Sequence, residues 1–151
     1  MMREQLIHNN ENHIETGDII SLTLPNAPEY VSIARLTLSG IANRMGFNIE
    51  DIEDLKVAVA EACTNAIKHG CGNDCNYSIE FSVLKDKLRI EIRDGGEGFD
   101  YDKLKEPDLT KPREGGLGLF IIKTLMDDVE IFNNNKSCGT RIIMYKNLGE
   151  S

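Results

Sequence analysis

Glu61-Ala62-Cys63-Thr64-Asn65-Ala66-Ile67-Lys68-His69 is the stretch on which the fold turns. It continues a helical pattern that starts near Asn48, a residue type that caps helices through its side-chain oxygen. Ile52, Leu55, Val59, Ala62 and Ala66 recur at three- and four-residue steps, which makes one apolar stripe directed at a core. Glu61, Asn65 and His69 stand four apart and share a second line, offset from that stripe. Such a line is either a solvated helix face or one wall of a site, and by itself the solvated face is the commoner case. The chemistry of the pair is nonetheless suited to phosphoryl transfer. An Asn carbonyl oxygen can serve Mg²⁺, and a carboxylate one turn away can accept a proton from a nucleophile.

Working upstream, Ile19, Leu22 and Leu24 predict a strand stopped by Pro25. A helix is expected from about Pro28, with Tyr30, Ile33, Ala34, Leu36, Leu38, Ile41 and Met45 as its apolar positions and Gly46 at its end. Downstream, Gly70 and Gly72 close the second helix, and strands are expected over residues 77–84 and 88–93. In the later one Leu88, Ile90 and Ile92 face one side and Arg89, Glu91 and Arg93 the other. A polar loop with Pro107 and Pro112 runs from about Gly95 to Gly115, long enough to serve as a lid. A third helix over 116–127 and strands over 129–133 and 140–145 complete the chain. This order predicts an α+β fold, one mixed β-sheet with helices on one face. It also predicts a single domain over 18–151 behind a polar, flexible tail over 1–17.

Composition narrows the function. The 151 residues carry a net charge of −8, which repels nucleic-acid phosphates and favours a basic protein partner or a metal-bound nucleotide. The sequence contains no apolar run long enough for a membrane helix, and the tail lacks the apolar segment of a signal peptide, so a cytoplasmic location is expected. The four cysteines, Cys63, Cys71, Cys75 and Cys138, do not form the paired short spacings of a zinc site and read as free thiols.

Three further motifs follow in order. Asp94-Gly95-Gly96-Glu97-Gly98 comes directly after a strand. The carboxylate can accept a hydrogen bond from an exocyclic amine, and the glycines admit a ligand close to the backbone. Gly115-Gly116-Leu117-Gly118-Leu119 opens the third helix, where free amides attract anions. It is not a Walker motif, since no Gly-Lys-Ser/Thr follows, and no strand precedes it as a dinucleotide fingerprint requires. Gly139-Thr140 begins the last strand.

Together these motifs resemble the GHKL superfamily, whose ATP-binding domains adopt the Bergerat fold. The stretch from Glu61 to His69 is similar to the N box, Asp94-x-Gly96-x-Gly98 to the G1 box, Gly116-x-Gly118 to the G2 box, and Gly139-Thr140 to the closing Gly-Thr. Within the superfamily, Pro28-Glu29-Tyr30-Val31, the stretch from Arg35 to Ala42, Ile52-Glu53-Asp54-Leu55-Lys56 and Leu125-Met126-Asp127-Asp128-Val129 are similar to the anti-sigma serine kinases of the general stress response. The sporulation anti-sigma kinases are more distant. The resemblance implies an ATP- and Mg²⁺-dependent protein-serine kinase that binds a sigma-B-like sigma factor and phosphorylates a serine of a STAS-type anti-anti-sigma protein. It implies Glu61 as general base, Asn65 as Mg²⁺ ligand, Asp94 on the adenine amine, and Thr140 supporting adenine. Gly96, Gly98, Gly116 and Gly118 would shape the site and its lid, and Arg35 would touch protein partners. It further implies a homodimer with contacts near the first strand and helix. Two other readings are the catalytic domain of a sensor histidine kinase and a nucleotide-dependent binding module that transfers nothing.

Overall fold

The computed structural model describes residues 17–69, 75–94, 116–133 and 139–149. Among these, five strands and three α-helices follow in the order β1 (Ile19–Pro25), α1 (Val31–Met45), α2 (Ile49–His69), β2 (Asn76–Val83), β3 (Lys87–Asp94), α3 (Gly116–Leu125), β4 (Asp128–Asn133) and β5 (Thr140–Asn147). The expected elements are present, with boundaries shifted by one to three residues. The tail before Gly17, the segment holding Gly96 and Gly98, the closing Gly70 and Gly72, and two cysteines, Cys71 and Cys138, lie outside the described residues.

The strands form one sheet in the order β1-β2-β3-β5-β4. Every described pair is antiparallel, which corrects the expectation of a mixed sheet. The reason lies in the last hairpin. The crossover through α3 does return the chain parallel to β3, as such crossovers do. However, β5 slots between β3 and β4, so the two parallel strands never share a ladder.

Alternation along the strands builds the core. Ile20, Leu22 and Leu24 of β1, Tyr77, Ile79 and Phe81 of β2, Leu88, Ile90 and Ile92 of β3, and Ile142 and Met144 of β5 all pack with the helices. Register aligns them in rows, with Leu22, Ile79, Ile92, Ile142 and Ile131 successive cross-strand neighbours. Ile19 belongs to the opposite parity and is exposed, so of the residues that signalled this strand only Leu22 and Leu24 face the core, joined by Ile20. Pro25 is tolerated because β1 is an edge strand, where a missing amide breaks no ladder bond on the outer side.

Helix ends obey local chemistry. Pro28 starts a short 3-10 turn that leads into α1. Gly46 ends α1 at φ 98°, and the Gly46 and Phe47 amides both donate to the Ala42 carbonyl. Asn48 Oδ1 accepts the Asp51 amide at 2.7 Å and caps α2, with Glu50 and Asp51 in the first turn and Lys68 and His69 in the last, the polarity that the helix dipole favours. The C-terminal end of α3 is fastened from β5: Lys146 Nζ donates to the Leu125 carbonyl at 2.7 Å. Beside it, the Asn147 amide donates to Asp127 Oδ2 at 2.6 Å.

The face of the sheet away from the core carries a charge cluster. Glu91, only 7% exposed, accepts from Arg89 at 2.9 Å, Arg93 at 2.6 Å and Arg141 at 2.8 Å. Burial alone would raise its carboxyl. Hydrogen bonds from Arg141, Arg93 and Arg89 outweigh burial and bring it down from the ordinary 4.5 to about 2. The stability this supplies is complete above the unfolded carboxyl value and is lost as pH falls toward 2. Removing one partner of a buried ion pair costs roughly 3–5 kcal/mol, and because Arg93 is half exposed we expect Glu91→Gln to cost about 2–3 kcal/mol at pH 7. Urea unfolding at pH 7 and at pH 3 checks this. The gap between the native protein and the variant should narrow at the lower pH, and a gap independent of pH would contradict the ionic origin.

Candidate nucleotide site

Helix α2 has two opposed jobs. Leu55, Ala58, Val59, Ala62, Cys63 and Ala66 are buried against the sheet and the neighbouring helices. Burial pushes the Cys63 thiol up to about 12, so it stays protonated and acts as a small core residue. Along the next line of the helix, Glu61, Thr64, Asn65 and Lys68 turn toward α3 and, with Leu117, Gly118 and Ile121, line a cavity of about 230 Å³. Asn65 is only 9% exposed. A solvated helix face does not bury its amide, so this part of α2 is the wall of a cavity.

Glu61, Asn65 and Gly118 therefore converge from distant parts of the sequence. Gly118 sits in the first turn of α3, and a Cβ built on it would lie 2.8 Å from Glu61 Oε1. The carboxylate thus rests against a bare backbone. Gly116 is the first residue of the same helix. His69, the third member of the four-residue series, is exposed at the end of α2 and does not line the cavity.

Asp94 and Thr140 are placed by the sheet. Arg93 faces Arg141 in the register of β3 and β5, so Asp94 and Thr140 stand opposite each other one step further along. Asp94 is 3% exposed, Thr140 is 7% exposed, and Tyr77 of β2 flanks Asp94 on its other side. A carboxylate buried to this degree requires a compensating interaction. Neither residue lines the cavity above. Arg35 lies exposed on α1, next to Leu36, and is also outside it.

Thr64, Lys68, Leu117 and Ile121 line the cavity without having been picked out from the sequence. The signal for the first two was available. Lys68 is three residues after Asn65, and Thr64 three after Glu61, the other spacing that joins one helical face. Leu117 and Ile121 are placed only by the packing of α3 on α2.

The donor set fits a magnesium nucleotide. An amide oxygen is a hard, neutral ligand of the kind Mg²⁺ accepts alongside water and phosphate oxygens. The Lys68 ammonium and the amides at the start of α3 suit phosphates.

Residues 24–146 match the histidine kinase-like ATPase domain. The serine-protein kinase RsbW of Oceanobacillus iheyensis is 48% identical over 143 residues, covering 88% of this chain and 89% of that protein. RsbW of Bacillus subtilis is 45% identical over 143 residues, covering 87% of each. Among solved structures, the RsbU and RsbW domains of Rv1364c from Mycobacterium tuberculosis superpose with a TM-score of 0.62 at 18% identity, covering 89% of this chain and 34% of that one. The SiaB–SiaC complex of Pseudomonas aeruginosa gives 0.60 at 10% identity, covering 96% of this chain and 99% of that one. These two likenesses speak to the fold alone. With the family model spanning most of the chain and close relatives matching nearly end to end, the chain belongs to the RsbW serine-protein kinases, within the histidine kinase-like ATPases.

Proposed function

We propose that the protein transfers the γ-phosphoryl group of Mg-ATP to a serine of an anti-anti-sigma protein and, in its other state, sequesters a sigma factor of the sigma-B type. The observation that carries this reading is the meeting of a carboxylate, a buried amide and an ammonium on one face of α2 against the glycine start of α3. The relatives' name, serine-protein kinase, supports the acceptor chemistry. Glu61 takes the proton of the serine hydroxyl as its oxygen bonds to the γ-phosphorus, and the bond to the bridging oxygen of ADP breaks. Asn65 would hold Mg²⁺, which when bound neutralises charge on the phosphates. Lys68 and the amides at Gly116 and Gly118 stabilise the same charge from the protein side. Asp94 holds the adenine amine with Thr140 beside it, and Gly96 and Gly98 let the backbone approach.

Arg35, exposed on α1, meets the protein partner. The chain's net charge of −8 suits a sigma factor whose DNA-binding surface is basic. The working form is a cytoplasmic homodimer, and the ATP-binding kinase domain spans 18–151. Among the described residues, no helix is long and apolar enough to cross a membrane.

Asp94→Asn sets an amide donor against the adenine amine. Loss of a hydrogen bond to a charged acceptor costs roughly 1.5–3 kcal/mol, so ATP affinity measured by calorimetry should fall about 10- to 150-fold. Unchanged affinity in the folded variant removes Asp94 from the site.

Glu61→Gln keeps size and polarity but cannot accept the serine proton. Transfer from labelled ATP to the purified anti-anti-sigma protein should drop at least ~10²-fold, the lower range for loss of a general base. ATP affinity and sigma capture by the same preparation should persist. Normal transfer would overturn the base assignment, and joint loss of all three would mark Glu61 as a structural residue.

A further inference from the structure

Gly118 occupies a helical position at which glycine is a poor choice. Among the described glycines only Gly46 has a positive φ, so the backbone at Gly118 places no demand for glycine. Within a helix, alanine is favoured over glycine because it loses less backbone entropy. The described surroundings do not exclude a methyl group either, with one exception. A Cβ at Gly118 would meet Glu61 Oε1 at 2.8 Å and Glu61 Cδ at 3.8 Å, and no other group of the described residues comes within 4 Å outside the chain neighbours and the helix's own backbone. By contrast, among the described residues a Cβ at Gly40 or Gly149 meets nothing within 4 Å, and one at Gly17 meets the backbone of Val83. Among the described residues, the single group that a side chain at position 118 would disturb is the carboxylate proposed to act as base.

We infer that Gly118 is a positioning residue for Glu61: the space left by its missing side chain is where the carboxylate rests, one helix setting the aim of a group on another. This inference rests on the assignment of Glu61 as general base and deepens it. It differs from a role for Gly118 in admitting phosphate, because the contact is with the proton acceptor and not with the nucleotide. A methyl group there would drive Oε1 back by roughly half an ångström or more to regain van der Waals separation. Displacement of about 1 Å at a reacting group can cost ~10² in rate, so Gly118→Ala should lower kcat for phosphoryl transfer by about tenfold or more.

The test is a double-mutant cycle with Glu61→Asp, whose carboxylate is one methylene shorter and no longer reaches the methyl. Single-turnover transfer from labelled Mg-ATP to the purified anti-anti-sigma protein, ATP affinity by calorimetry, and thermal melting are measured for the parent, both single variants and the double variant. The expected result is a Gly118→Ala protein that melts no lower than the parent, binds ATP within about threefold, and loses kcat. In the Glu61→Asp background the same substitution should change kcat by less than about twofold, because the contact has already gone. Equal losses in both backgrounds, or a loss carried by ATP affinity with kcat intact, would overturn the inference. If the single variant fails to fold, folding of the double variant supports the contact, and failure of both overturns it. Glu61→Gln is run alongside: a dead Glu61→Gln with a fully active Gly118→Ala sinks the positioning role alone, whereas an active Glu61→Gln sinks the base assignment and this inference with it.

Discussion

Helix α2 must be dry along one line and polar along the next, and the rest of the molecule is arranged around that demand. Its apolar line is buried with the sheet, so the sheet presents an unbroken apolar surface across β1, β2, β3 and β5. Its polar line would be costly to bury without partners. The chain meets that cost by laying α3 alongside and leaving a cavity between them. Asn65 marks the boundary, buried as deeply as a core residue yet carrying an amide. Small residues at Ala58, Ala62 and Ala66 let the helix sit close to the sheet. A bulkier side chain at any of them would lift Glu61 and Asn65 as well as loosen the core, so packing and site geometry are not separable here.

The sheet serves this arrangement from both faces. Toward the helices it supplies apolar rows in register, and away from them it is held by ions. Glu91 sits near the centre of the outer face and links its own strand to β5 through Arg141, with Arg89 and Arg93 alongside. Asp94 is only three residues further along β3. The ordering of that strand therefore bears on where the end of it points, and charge on one face of the sheet supports geometry at its rim.

Much of this was legible because it depends on local pattern. Helix periodicity, the αL glycine at Gly46, the Asn48 cap and the alternation of Leu88, Ile90 and Ile92 are written in neighbouring residues, and each reappears in the structure. What the sequence reading missed depends on long-range choices. The insertion of β5 between β3 and β4 is decided by how a hairpin docks, which no local signal encodes, and it turned an expected mixed sheet into an antiparallel one. Arg89, Glu91 and Arg93 read only as the side opposite the apolar one, and the burial of Glu91 there could not be seen, because Arg141 arrives from fifty residues away. Among the candidate site residues, the spacing within α2 made Glu61 and Asn65 visible together, while Lys68 stood in the same stretch and was passed over. The contact between Glu61 and Gly118 has no sequence signature at all, since it follows from the packing of two helices.

Lys146 grips the last carbonyl of α3 from the central part of the sheet, and the neighbouring Asp127–Asn147 hydrogen bond clamps the turn that follows. The helix is thus a lever with a fixed end. From Leu125 back to Gly118 it spans about 10 Å, so a tilt of about 5° at the fulcrum sweeps Gly118 through roughly 1 Å. That amplitude equals the displacement at which a reacting group loses about a hundredfold in rate. The stillness of the carboxylate resting on Gly118 is consequently set at the far end of the helix, by a lysine that never approaches the cavity.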